Sequence, residues 1–200
     1  MNEVATFPAT TLPEVVADHR TAGWWGMMAT IATEAALFAY LLFSYYYLAS
    51  QTTGAWPPDG VPGLRLALPN TLVLLASSVC VWWAERGIKR GNRVSAVLGL
   101  ALGFLLGSIF VVVQVFEWLS KTFSVSSHAY GSLYFTITGF HMAHVAGGLI
   151  MLAVLLVWTA MRYFGPKRHA AISIGAVYWH FVDAVWLLVF TTFYLTPRLG

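Results

Sequence analysis

"YWHFVDAVWLLVF", residues 178–190, is the stretch from which the fold is read. It is almost wholly apolar, yet it carries His180 and Asp183 three residues apart, a spacing that puts both side chains on one face of a helix. The apolar character runs from 170 to 195, longer than the roughly 20 helical residues that cross a hydrocarbon core. "FHMAHV", residues 140–145, repeats the device with His141 and His144. Ionisable groups in such segments are costly in lipid, so they are expected to be paired or functional.

The composition agrees with a lipid setting. Of the 200 residues, 58% are hydrophobic and only 10% charged, against roughly 25% charged in soluble domains. The net charge of +3 could suggest nucleic acid, but in a membrane chain basic residues mark the cytoplasmic loops. No phosphate-binding loop, nucleophile triad or soluble zinc pattern is present, and no nucleic-acid partner is expected. The single cysteine, Cys80, cannot form an internal disulfide and reads as a small buried hydrophobe. The first twenty residues hold Glu3, Glu14, Asp18 and Arg20 and lack a signal-peptide pattern.

Five segments are long enough to span: about 23–49, 66–84, 94–119, 129–161 and 170–195. Between them lie "SQTTGAWPPDGVPG" (50–63), "ERGIKRGNR" (85–93), "SKTFSVSSH" (120–128) and "RYFGPKRH" (162–169). The expected fold is all-α: one transmembrane bundle over 21–200, preceded by a cytoplasmic segment, 1–20. The second span is the shortest, with Pro69 expected in its first turn, where a missing N–H is tolerated. Arg20, Arg86, Lys89, Arg90, Arg93, Arg162, Lys167 and Arg168 fall on one side; Arg65, Lys121 and Arg198 fall on the other. That bias puts the N-terminus in the cytoplasm and the C-terminus outside. Aromatics at segment ends, among them Trp24, Trp25, Tyr45 to Tyr47, Trp82, Trp83, Trp118 and Tyr194, suit an interfacial belt.

Gly99, Gly103 and Gly107 recur every fourth residue in the third segment, and Gly139, Ala143 and Gly147 do so in the fourth. Small residues at that spacing let helix backbones approach closely. Glu34 lies about eleven residues into the first segment, roughly 16 Å deep at 1.5 Å per residue. A carboxylate there costs at least about 2.5 kcal/mol, so Glu34 is expected to be protonated or to face a polar partner, as a structural acid or a proton-handling or lipid-contacting group.

Antiparallel pairing of the last two helices puts His144 level with His180, and His141 level with Asp183. One hydrogen-bonded cluster is the economical expectation, with Asp183 accepting from an imidazole and Gln114 and Glu117 joining from the outer end. A proton relay, or a haem or metal site on the histidines, remains open at this point. So do a histidine-ligated b-type cytochrome and a proton channel built on Glu34.

Five motifs, in order, resemble subunit III of the haem–copper respiratory oxidases. "TEAALFAYLLFSYYYL" (33–48) is similar to the helix that bears the family's intramembrane Glu, which falls on Glu34. "WPPDGVPGLRLALPNTLVLLASS" (56–78), "GSIFVVVQVFEW" (107–118), "YGSLYFTITGFHMAHVAGGLIML" (130–152) and "YWHFVDAVWLLVF" resemble the elements that follow. The family has Gly where Met142 stands, and its longer members have a Glu where Ser173 stands. The resemblance is to the shorter, five-helix bacterial type, in an inner membrane. It implies a subunit with no catalytic residue, cofactor or metal of its own, packed in a hetero-oligomer with catalytic subunit I and subunit II, which hold the haem and copper. It further implies bound phospholipid, support of proton uptake, and protection of the catalytic subunit. The same role in a quinol oxidase or a nitric-oxide-reductase-associated complex is the alternative.

Overall fold

The computed structural model describes residues 22–199. The expected cytoplasmic segment, with Glu3, Glu14, Asp18 and Arg20, lies outside the described residues. Five long helices follow one another: α1 Ala22–Gln51, α2 Leu64–Lys89, α3 Arg93–Leu119, α4 Ala129–Ala160 and α5 Ala170–Phe190. After α5 the same rod continues through a π-turn, Thr191–Leu195, into a last short turn, α6 Thr196–Leu199. All five rods are long and apolar enough to cross a membrane, and the chain is a multi-pass membrane protein. Among the described residues there is no β-strand, only an isolated bridge between Gly165 and Arg168.

The ends are held by polar groups that satisfy backbone atoms left free at helix termini. The Asn92 side chain accepts from Ser95 N–H at 3.1 Å and starts α3. His128 Nδ1 accepts from Gly131 N–H at 2.9 Å and starts α4. The Arg93 guanidinium donates to the carbonyls of Thr159, at 2.9 Å, and Ala160, closing the C-terminus of α4. Arg198 donates to the carbonyls of Tyr194 and Pro62, tying the chain's last turn to the α1–α2 loop.

Two expectations about α2 are corrected. The helix runs five residues past 84, through Arg86 and Lys89, whose charged heads reach the surface from its last turns. Pro69 is not in the first turn, because the helix begins at Leu64. In the second turn its missing N–H leaves the Arg65 carbonyl without its helical donor.

The bundle is built around α5, which packs against α1, α2 and α4; α2 and α3 form the closest helix pair, and α3 also packs on α4. Only Phe38 and Tyr45 of α1 are fully buried. Tyr45 and Tyr194 are 1% and 0% exposed, so neither belongs to an interfacial belt: they pack inside an aromatic layer with Trp56, Tyr130, Tyr134 and Phe193. Trp25, Trp82 and Trp83 are exposed near helix ends, as an interfacial belt requires.

The glycine pattern resolves into different contacts. A Cβ at Gly99 would lie 2.7 Å from the Cys80 carbonyl and 2.9 Å from the Ala84 nitrogen, so α3 meets the α2 backbone there. A Cβ at Gly103 would meet Val81, and one at Gly107 would meet the Trp179 ring of α5. In α4 the expected series makes little contact with the described residues: Gly139 has nothing within 4 Å of its Cβ position, Ala143 and Gly147 are exposed, and Gly148 receives the Trp179 ring instead.

Candidate functional site

The side chains expected to form one cluster fall into three groups plus one isolated imidazole. Helix register is the first reason. Gly148 lies against Trp179 and His141 against Trp186, so His144 is level with Asp183 rather than His180. This differs from the expected pairing by about three residues, close to one turn of helix. Azimuth is the second: His144 turns toward α1, whereas His180 and Asp183 turn toward α2.

The first group joins α1 to α4. His144 Nε2 lies 2.9 Å from Glu34 Oε2, and His144 Nδ1 lies 2.7 Å from the Phe140 carbonyl one turn back. A carbonyl only accepts, so Nδ1 carries a hydrogen. Between Nε2 and Oε2 there is then one proton, held either by a neutral carboxyl donating to the ring or by an imidazolium donating to a carboxylate. Both forms are neutral overall, so the pair keeps an exchangeable proton in an apolar setting without a net charge. Phe38 covers it, with its ring centroid 5.1 Å from that of His144. The side chains remain 15% and 30% exposed at His144 and Glu34, so the pair opens on the α1 side of the bundle.

The second group joins α2 to α5. The Ser78 hydroxyl donates to Asp183 Oδ2, and its oxygen lies 2.9 Å from His180 Nδ1. With its own hydrogen given to the carboxylate, Ser78 accepts from the ring, so Nδ1 of His180 carries the hydrogen. Asp183 was expected to take an imidazole N–H directly; a serine stands between them. Ser78 went unnoticed because a serine in a long apolar run carries no ionisable signal. Asp183→Ala is expected to lower stability in detergent by about 1–3 kcal/mol, since it strands the part-buried Ser78 hydroxyl hydrogen. Asp183→Asn keeps an acceptor and should lose less; thermal unfolding followed by circular dichroism distinguishes them.

The third group lies at the other end of α3. Glu117 Oε1 accepts from Lys121 Nζ at 3.0 Å and from the Tyr194 hydroxyl at 2.5 Å, and Tyr194 lies 3.2 Å from Tyr134 Oη. The Lys121 ammonium sits over both rings, 5.0 Å from the centroid of Tyr134 and 5.8 Å from that of Tyr194. Lys121 had been read as a loop charge, but its side chain is only 13% exposed. Tyr194 reaches this group from the π-turn, which buries Thr192, Phe193 and Tyr194 in succession. Gln114, one turn from Glu117, is fully buried.

His141 joins none of these. It is fully buried, and neither ring nitrogen has a partner among the described residues. Its ring lies 4.9 Å from Trp186 and near the edges of Phe110 and Phe38, so four helices meet at it. Among the described residues, no three His, Cys, Asp or Glu side chains converge as a metal-holding group.

Comparison with known proteins gives this arrangement a family. The model of the family "Cytochrome c oxidase subunit III" matches residues 15–197. The chain is 37% identical over 177 residues to the cytochrome c oxidase subunit 3 of Scyliorhinus canicula, covering 85% of this chain and 68% of the relative. Over the same length and coverage it is 38% identical to that of Gallus gallus and 37% to that of Danio rerio. With the match running through all five spans, the chain belongs to the cytochrome c oxidase subunit III family.

Proposed function

We propose that the chain is the non-catalytic third subunit of a respiratory haem–copper oxidase that takes electrons from cytochrome c, reduces dioxygen and pumps protons. In this reading it sits beside catalytic subunit I, with subunit II in the same complex, in a bacterial inner membrane with its N-terminus in the cytoplasm. It holds phospholipid, supports proton uptake, and lengthens the working life of the catalytic subunit. The haem and copper belong to the partner subunits. Family membership supports the subunit role, and the distribution of basic residues supports the orientation.

The observation that carries the functional part is the Glu34–His144 pair. An acid meant only to pin two helices needs no titratable partner; a carboxyl and an imidazole sharing one proton can pass it between oxygen and nitrogen while the pair stays neutral in lipid. Glu34 lies at the thirteenth position of thirty in α1, and its side chain is part-exposed on the α1 side of the bundle. His144 adjusts to either protonation state through its fixed Nδ1–H bond to Phe140.

Glu34→Gln nearly preserves shape and can donate to a bare Nε2, so assembly with the complex should survive. Oxygen consumption followed over a long progress curve, at equal subunit content, should start near the wild-type rate and decay sooner. In parallel, a hydrophobic carbodiimide should label wild-type Glu34, because the reaction needs a protonated carboxyl in an apolar setting. Identical decay in the two enzymes, with no labelling at Glu34, would reduce the pair to a helix clamp.

A further inference from the structure

We propose that the cleft between the C-terminal end of α2 and the start of α3 binds the phosphate of one anionic phospholipid headgroup. Trp82, Trp83, Arg86, Arg90, Asn92 and Ser95 line it, and its volume is about 180 Å³. That is smaller than the roughly 300–1,000 Å³ of a site for a drug-sized ligand, and it suits a headgroup whose chains lie outside. This gives a place to the phospholipid holding proposed above, and rests on that reading only for its bilayer.

Charge in the cleft is uncompensated. Glu85, the only acidic residue at this end of the bundle among the described residues, is taken by Lys89 at 2.6 Å. The Arg86 guanidinium carbon sits over the Trp82 ring, 4.0 Å from its centroid. Cation–π stacking engages a guanidinium's face and leaves the N–H groups of its edge free for an acceptor. Arg90, one turn further on, is exposed, and among the described residues its guanidinium has no hydrogen-bond or ion-pair partner. Two arginines lining one cleft suit a phosphate, which can accept two parallel N–H bonds from a guanidinium fork.

The surroundings point to a lipid as the source of that phosphate. Trp82 and Trp83 are exposed at the depth where tryptophans mark the membrane surface. Below the cleft the faces of both helices turn apolar and open: Val79 on α2, and Leu98, Leu102 and Leu105 on α3, are all exposed. Acyl chains of a lipid held by its phosphate would lie along this face. The α4–α5 loop adds charge from the side, since Gly91 meets Pro166 and brings Arg162, Lys167 and Arg168 to the same end. A soluble phosphate compound would need no apolar face beneath it, and an acidic protein would need no cleft.

The test uses the full chain, released for native mass spectrometry from micelles doped with phosphatidylglycerol or with phosphatidylcholine of the same chains. One phosphatidylglycerol per chain should be retained where phosphatidylcholine is not. Arg86→Gln with Arg90→Gln should lower that occupancy about tenfold, given the attraction that each cation near a membrane surface supplies. Arg86→Lys with Arg90→Lys keeps the charge and loses the fork, so it should fall between the two. Arg65→Gln, at the opposite end of α2, should leave occupancy unchanged. Circular dichroism on each variant shows whether the bundle is intact.

Equal retention of both lipids, or full retention by an intact Arg86→Gln/Arg90→Gln bundle, would overturn the proposal. So would displacement by inorganic phosphate at lower concentration than by lipid, which would mark a site for free phosphate. None of these outcomes touches the Glu34 progress curve or carbodiimide labelling, so the two readings fail separately.

Discussion

Gly99→Leu is expected to separate α2 from α3 and to cost the bundle about 3 kcal/mol or more, the upper end for overpacked cores. The reason is what the added atoms would strike. A Cβ at Gly99 would come within 2.7 Å of the Cys80 carbonyl and 2.8–2.9 Å of Ala84. Backbone atoms and a methyl group have no rotamer to move into, so the helices themselves must part. Gly103→Leu should cost less, because its first clash is with a Val81 methyl group. Gly107→Leu should fall between them: it strikes the Trp179 ring, which is held by its indole N–H bond to Ser77 at 3.0 Å. Thermal unfolding in detergent, followed by circular dichroism, measures the losses. Gly99→Leu should melt first, Gly107→Leu next and Gly103→Leu last; equal melting temperatures for Gly99→Leu and Gly103→Leu would show that close backbone approach does not govern the α2–α3 contact.

Lys121→Met is the second large effect. Glu117 is 3% exposed, and one of its oxygens takes both the Lys121 ammonium and the Tyr194 hydroxyl. Removing one partner of a buried ion pair leaves an uncompensated charge, at about 3–5 kcal/mol. Tyr194 can still donate to Glu117 but cannot neutralise it. Lys121→Met combined with Glu117→Gln removes the stranded charge and should recover most of the loss, since replacing both partners is often close to neutral. Thermal unfolding of the single and double variants in detergent measures the coupling. A double variant as unstable as Lys121→Met alone would show that the ammonium acts through the Tyr134 and Tyr194 rings rather than through the carboxylate.

This ion pair shows how a sequence can mislead about burial. Lys121 follows the end of α3 and is followed by a polar loop, which reads as a solvated charge. Its stem is long enough to turn back one helical turn, as lysine stems do when an apolar surface lies beneath them. Tyr194 misleads in the same way. A tyrosine near the end of a span suits a membrane belt, but the π-turn in which it lies turns it inward.

Much of the architecture was legible without coordinates, because lipid makes a simple demand on sequence. Every spanning segment must be helical and about 20 residues long, so run length alone gives five helices, with most ends within a residue or two. Only α2 was misjudged, since arginine and lysine close its last turns and end the apolar run before the helix ends. The ionisable residues within the spans, Glu34, His144, His180 and Asp183, were also legible, since few such groups occur there and each stands out.

Their partners were decided only by the tertiary structure. A register shift of one turn and the facing of each helix about its axis change which side chains meet, and neither leaves a mark in the order of residues. Those two quantities gave His144 to Glu34, put Ser78 between His180 and Asp183, and left His141 among aromatic rings. They are set by how large side chains fill the gaps between helices: the Trp179 ring seated on Gly107 and Gly148, and Trp186 stacked on His141 with its indole N–H on Thr71 at 2.9 Å. The sequence by itself determined that a membrane bundle would carry paired ionisable groups; packing of tryptophans against glycines determined the pairs.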